Sequence, residues 1–115
     1  MDIQDWRSFL LPYDQAVDEM VVKFQSIANE YRKLGKYSPI EHVQGRVKSI
    51  SSIMEKMAKQ SISFEDLEYR MSDMAGLRLI CQFVEDIEIV VELIRTREDM
   101  TVIEETNYVD HSKPS

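Results

Sequence analysis

Cysteine, glycine and proline are all scarce in this 115-residue chain, which has one, three and three of them. The lone cysteine, Cys81, excludes an internal disulfide and any multi-cysteine metal site, as suits a reducing compartment. Its place inside LRLICQFV reads as a buried core thiol. So few glycines form neither GxxxxGKS nor GxGxxG, so any nucleotide must be held by side chains and not by a glycine-rich backbone cradle. No apolar run approaches the ~18 residues of a membrane span, and the N-terminus carries no apolar signal region. Positive charge is also short. A net charge of −7 excludes broad attraction to nucleic acid or anionic membrane, so anions must be bound by a local patch. With 43% hydrophobic residues the chain is not disordered. The expectation is one soluble, cytoplasmic domain with a modest core.

Such a patch exists. Arg46, Lys48, Lys56 and Lys59 fall close together beside only one acid, Glu55. Asp73 follows, then an Ala-Gly turn and Arg78 at the head of the most apolar run. The plainest reading is a solvated basic face with a capping aspartate. The sharper one is a metal–polyphosphate site, because phosphates need fixed cations and a divalent metal needs a hard oxygen ligand. Lys48, Ser52 and Lys56 are spaced i, i+4, i+8 along one helical face, and Arg46 and Lys48 share a side if extended. Arg offers a planar fork, Lys a point charge and Ser a neutral donor. One carboxylate is weak support for two-metal or acid–base chemistry, which usually needs a second. His42 and His111 form no metal spacing. Ser8, Ser49 and Ser51 sit in no nucleophile motif, and Glu85, Asp86, Glu88 and Glu92 read as a solvated helix face.

The spacing predicts a short helix over 2–10, a break at Pro12, and a long helix over about 13–34 with Tyr13, Ala16, Val17, Met20, Val21, Phe24, Ile27, Ala28 and Tyr31 inward. Residues 40–48 read as an irregular or edge strand. A helix over about 49–59 buries Ile50, Ile53, Met54 and Met57. Ser63 and Asp66 open a short helix ending at Met71. Residues 77–84 form a central strand, EDIEIVVELIRTRE an amphipathic helix, and MTVIEETNYVD a second strand. Strand, helix, strand suggests a βαβ unit with a parallel pair. Two strands rarely make a stable sheet alone, and HSKPS closes no element. Further sheet partners are therefore expected downstream.

GRVKSISSIMEKM followed by MSDMAGLRLICQFVEDI closely resembles the synthetase domain of RelA/SpoT-type alarmone enzymes, above all the small single-domain synthetases of the RelQ type. FLLPYDQAV, YSPIEHVQGR and HSKPS resemble them too, so the likeness spans essentially the whole chain. The resemblance implies an α+β fold, a mixed sheet flanked by helices as in nucleotidyltransferase-like synthetase domains, with residues 1–36 as N-terminal helices and 40–115 opening the catalytic core. It implies pyrophosphate transfer from ATP to the 3′-hydroxyl of GTP or GDP, giving pppGpp or ppGpp and AMP. Arg46, Lys48, Ser52, Lys56 and Arg78 would hold ATP, Asp73 would hold Mg2+, and Lys113 would contact the guanine nucleotide. Asp73, Arg46, Lys48 and Lys56 would be the catalytic set. The family's guanine-stacking tyrosine and second carboxylate are expected after Ser115, so these residues alone would not complete turnover. A homotetramer is implied, with no membrane or DNA partner. Members activated by pppGpp use basic residues where this chain has Val21, Gln25 and Ala28, and an aromatic where it has His42, so that response is expected to be absent or weak. The competing readings are a non-catalytic regulator on the same scaffold, binding nucleotide or single-stranded RNA, and a purely helical interaction module.

Overall fold

A computed structural model describes residues 2–103. Helix α1 (Ile3–Lys33) leads to strand β1 (His42–Val47) and helix α2 (Ile50–Gln60). A 3-10 turn (Phe64–Asp66) runs into the short helix α3 (Leu67–Arg70), followed by strand β2 (Ala75–Ile80) and helix α4 (Val84–Arg95). The β content excludes the purely helical reading. Among the described residues no helix is long and apolar enough to cross a membrane.

The expected break at Pro12 does not occur: α1 is one helix with Pro12 inside it. Proline forfeits one backbone bond and crowds the preceding turn, at a cost of ~3 kcal/mol. Pro12 is exposed, so water can satisfy the carbonyl it leaves unpaired. On the opposite face Trp6 and Leu10 are buried, and each buried side chain of that kind contributes ~1.5–3 kcal/mol. Burial of these two side chains outweighs it. Asp2 caps the helix, accepting from Asp5 N at 3.0 Å. Gly35 takes a positive φ of 71° just past the end, the backbone state that stops a helix and suits glycine.

β1 and β2 pair antiparallel, with Val43 opposite Leu79, Gly45 opposite Leu77 and Val47 opposite Ala75. Because side chains alternate along a strand, these pairs face α1. Gln44–Arg78 and Arg46–Gly76 lie on the other face. A Cβ on Gly45 would stand 2.5 Å from Val17 Cγ1 and 2.7 Å from Val21 Cγ2. Only glycine lets helix and sheet approach this closely.

The core has two parts that share α1. One joins Trp6 and Leu10 to Ile53, Ile62, Leu67, Met71 and Met74. The other joins Phe24 and Ala28 to Ile40, Val43 and Val90. Ile53 is fully buried, as expected of α2, but Met54 is 53% exposed. It lies one position round the helix from Ile53, off the buried side of α2. Ala16 is exposed as well.

The strand expected over 77–84 begins two residues earlier and stops at Ile80. Ala75 and Gly76 are therefore strand and not a turn. The early stop has a cause. The Asp86 carboxylate accepts from Phe83 N at 3.1 Å and from Tyr37 Oη at 2.7 Å, which turns the backbone into α4. Asp86 is 5% exposed, so it is a buried cap and not part of a solvated face. Its carboxylate holds the Tyr37 phenol up at about 12, mainly through their hydrogen bond. Cys81 is half-buried, with its thiol pushed up by desolvation. Of the strand expected over 101–109, residues 101–103 are not strand and the remainder lies outside the described residues, as does any parallel pairing.

Candidate polyphosphate site

The site lies at one end of the two-stranded sheet, where β1 passes almost directly into α2. Lys48 N donates to Met74 O at 2.7 Å, which carries the pairing one step past Val47. That bond sets Lys48 beside Asp73 although they are far apart in sequence. Ser49 then caps α2, accepting from Ser52 N at 3.2 Å. Its hydroxyl also donates to Ser52 Oγ at 2.9 Å. The first turn of α2 thus presents hydroxyls at a helix N-terminus, where partial positive charge gathers.

Lys48 stands just outside α2 and Lys56 sits within it, so the i, i+8 spacing is not one unbroken helical face. The two ammonium groups nevertheless converge. Lys48 Nζ lies 2.7 Å from Asp73 Oδ2, and Lys56 Nζ lies 3.0 Å from Asp73 Oδ1. Each carboxylate oxygen has its own cation. Lys48 foremost, then Lys56, holds the Asp73 carboxyl down at about 2, so it is ionised across the physiological range. Asp73 remains half-exposed, whereas Lys48 is mostly covered. Lys59 does not join them; it pairs with Glu55 at 3.4 Å, with both groups exposed.

Arg46 and Arg78 project from the polar face of the sheet, on adjacent strands and offset by one side-chain step. Among the described residues neither makes an ion pair or a side-chain hydrogen bond. With Gln44, Gly45, Gly76 and Leu77 they line an open concavity of about 560 Å³. Gln44 and Gly76 were not anticipated as lining residues. Period-two alternation through 42–47 and 75–80 could have found them, since they share the face of Arg46 and Arg78.

The structure therefore brings Lys48, Lys56 and Asp73 into contact and sets Arg46 and Arg78 on one face. Ser52 lies in the first turn of α2, between Lys48 and Lys56 in sequence. Lys113 and His111 lie outside the described residues. His42 is exposed and belongs to no metal-binding group; among the described residues no cluster of three or more His, Cys, Asp or Glu side chains is placed to hold a metal. Asp73 fits magnesium in a narrower way. It offers one half-exposed hard carboxylate, the kind of ligand magnesium takes beside phosphate oxygens and water, with both oxygens held here by Lys48 and Lys56.

Residues 45–115 match the family model described as "Region found in RelA / SpoT proteins". GTP pyrophosphokinase YjbM of Bacillus subtilis (strain 168) is 46% identical over 115 residues, all of this chain and 54% of its own. The chain spans about half the length of the curated relatives it matches. Small alarmone synthetase 1 from Bacillus subtilis bound to its product pppGpp superposes with a TM-score of 0.85 at 45% identity, covering 96% of this chain and 57% of that one. The same synthetase bound to AMPCPP gives 0.80 at 46%, covering 92% and 56%. On sequence and fold together, the chain belongs to the RelA/SpoT family.

Proposed function

We propose that this chain carries the ATP-binding part of an alarmone synthetase that transfers pyrophosphate from ATP to the 3′-hydroxyl of GTP or GDP. The observation that carries this reading is the convergence of Lys48 and Lys56 on Asp73, beside Arg46 and Arg78, which are unpaired among the described residues. In the transfer, the 3′-hydroxyl loses its proton, to the second carboxylate that the resemblance implies, as its oxygen attacks the β-phosphorus of ATP. The bond from that phosphorus to the α,β-bridging oxygen breaks, and AMP leaves. Such a reaction asks the protein mainly to position the phosphates and balance their charge. Arg46 and Arg78 would grip phosphate oxygens bidentately, Lys48 and Lys56 would neutralise charge developing on the transferred group, and Ser52 would donate a neutral hydrogen bond. Asp73 would hold Mg2+, which when bound would supply Lewis-acid charge stabilisation to the phosphates. The resemblance adds Lys113 as a contact to the guanine nucleotide, a homotetrameric assembly and a cytoplasmic setting.

A second part of the reading concerns regulation. Gln25, Ala28 and His42 line a small concavity with Asn29, Arg32, Glu41 and Val43. Its one cation, Arg32, already donates to the carbonyls of Ile40 and Glu41 at 3.3 and 3.1 Å. Glu41 adds negative charge. This lining suits a polyphosphate poorly, so added pppGpp should leave the rate unchanged. A severalfold acceleration would overturn that part.

The test of the activity uses the full-length protein with ATP, GTP and Mg2+, and separates nucleotides by anion exchange. AMP and a 3′-pyrophosphorylated guanine nucleotide should appear together. Arg46→Ala and Asp73→Ala should each abolish product without unfolding the protein. Absence of both products from the unmodified protein rejects the reading.

A further inference from the structure

Gly76 sits inside β2, where glycine is an unfavourable choice. In a strand interior it is destabilising relative to alanine, because it loses more freedom on folding and packs nothing. A backbone state reserved for glycine would explain it, but among the described residues the only positive-φ glycine is Gly35. Close approach by a neighbour would explain it too. Among the described residues, a Cβ built on Gly76 meets nothing within 4 Å.

Gly45, on the other strand, gives the contrast. There a Cβ would collide with two valines of α1, so internal packing accounts for that glycine completely. Gly76 faces the opposite way. It pairs across the sheet with Arg46, and Arg78 is two residues further along the same face. All three line the same open concavity. What remains as a reason for glycine is something that approaches the bare backbone from outside.

We propose that Gly76 is a clearance residue of the binding site: the nucleoside triphosphate held by Arg46 and Arg78 rests against its backbone, in space that a side chain would fill. This rests on the ATP reading above and extends it to a residue that carries no charge or donor group of its own. The contact is steric, so its loss should be graded by side-chain size. Alanine raises the floor by one methyl group, and valine raises and widens it. Neither change removes a cation or a metal ligand.

The experiment measures two quantities on the full-length protein, Gly76→Ala and Gly76→Val. The first is the melting temperature. The second is calorimetric affinity for a non-hydrolysable ATP analogue with Mg2+. Melting should hold or rise in both variants, while the dissociation constant rises about tenfold or more for alanine and further for valine. Unchanged affinity in both variants overturns the inference while leaving the ATP reading intact. A lower melting point or loss of folded protein in Gly76→Ala also overturns it, because the glycine would then be serving internal packing. Wild-type protein that fails to bind the analogue rejects the ATP reading and this inference together.

Discussion

Replacing Gly45 with alanine should destabilise the fold by an amount the geometry bounds. The new methyl carbon would lie 2.5 Å from Val17 Cγ1, 2.7 Å from Val21 Cγ2 and 3.3 Å from Leu77 Cδ2. Valine is stiff at χ1 on a helix, so neither methyl can rotate away cheaply. α1 must lift off the sheet or the sheet must bend. Overpacking of this kind costs about 1–3 kcal/mol, and removing a strand glycine returns ~0.5–1 kcal/mol. The net loss is about 0.5–2 kcal/mol, and for a domain of this size each kcal/mol moves the melting point by roughly 3–6 °C. Thermal denaturation followed by circular dichroism measures it. Adding Val17→Ala to Gly45→Ala relieves the shorter contact, so the double variant should lose less than the sum of the single losses. A Gly45→Ala protein that melts at the wild-type temperature would refute the packing argument.

Ile53→Ala should cost about 2–5 kcal/mol, since Ile53 is wholly enclosed, whereas Met54→Ala should stay within about 0.5 kcal/mol; chemical denaturation separates the two. Asp86→Ala removes the cap of α4 and should cost about 1–2 kcal/mol. The same variant should return the Tyr37 phenol from about 12 toward its ordinary 10.0, which tyrosinate absorbance would follow. The fold favours the neutral phenol, so this contact supports stability at every pH below 10.0 and its support is lost as pH rises toward 12. A tyrosine titration unchanged by Asp86→Ala would contradict the contact.

Much of this architecture was legible because period and position agree. The stripe from Val17 to Tyr31 and the run of acids then arginines in α4 each carry a single message. The segment before Tyr13 was harder. Proline signals a break, and only the tertiary burial of Trp6 and Leu10 shows why none occurs. Asp86 failed for a similar reason. Its role depends on Tyr37, which is distant in sequence, and a carboxylate among other acids looks solvated until its partner is known. In the site, residue chemistry pointed to Lys48, Lys56 and Asp73. Their contact depends on the strand register that sets Met74 beside Lys48. Gly76 carries no chemical signal, and its meaning came only from empty space.

The Lys48–Asp73–Lys56 pairing also makes the site carry its own counter-ion. At an ordinary basic patch, bound phosphate displaces anions into solution, and added salt opposes binding in proportion. Here the anion displaced from the two lysines is a tethered carboxylate, which stays near and contributes nothing to mixing. Affinity for inorganic pyrophosphate, measured without divalent metal, should therefore fall only gently with added salt. Asp73→Asn leaves the lysines to recruit anions from solution, so the variant should bind pyrophosphate more tightly at low salt and lose that advantage steeply as salt rises. Parallel salt dependences for the two proteins would contradict this. A carboxylate held between two lysines would thus act as a salt buffer toward any phosphate that the site takes up.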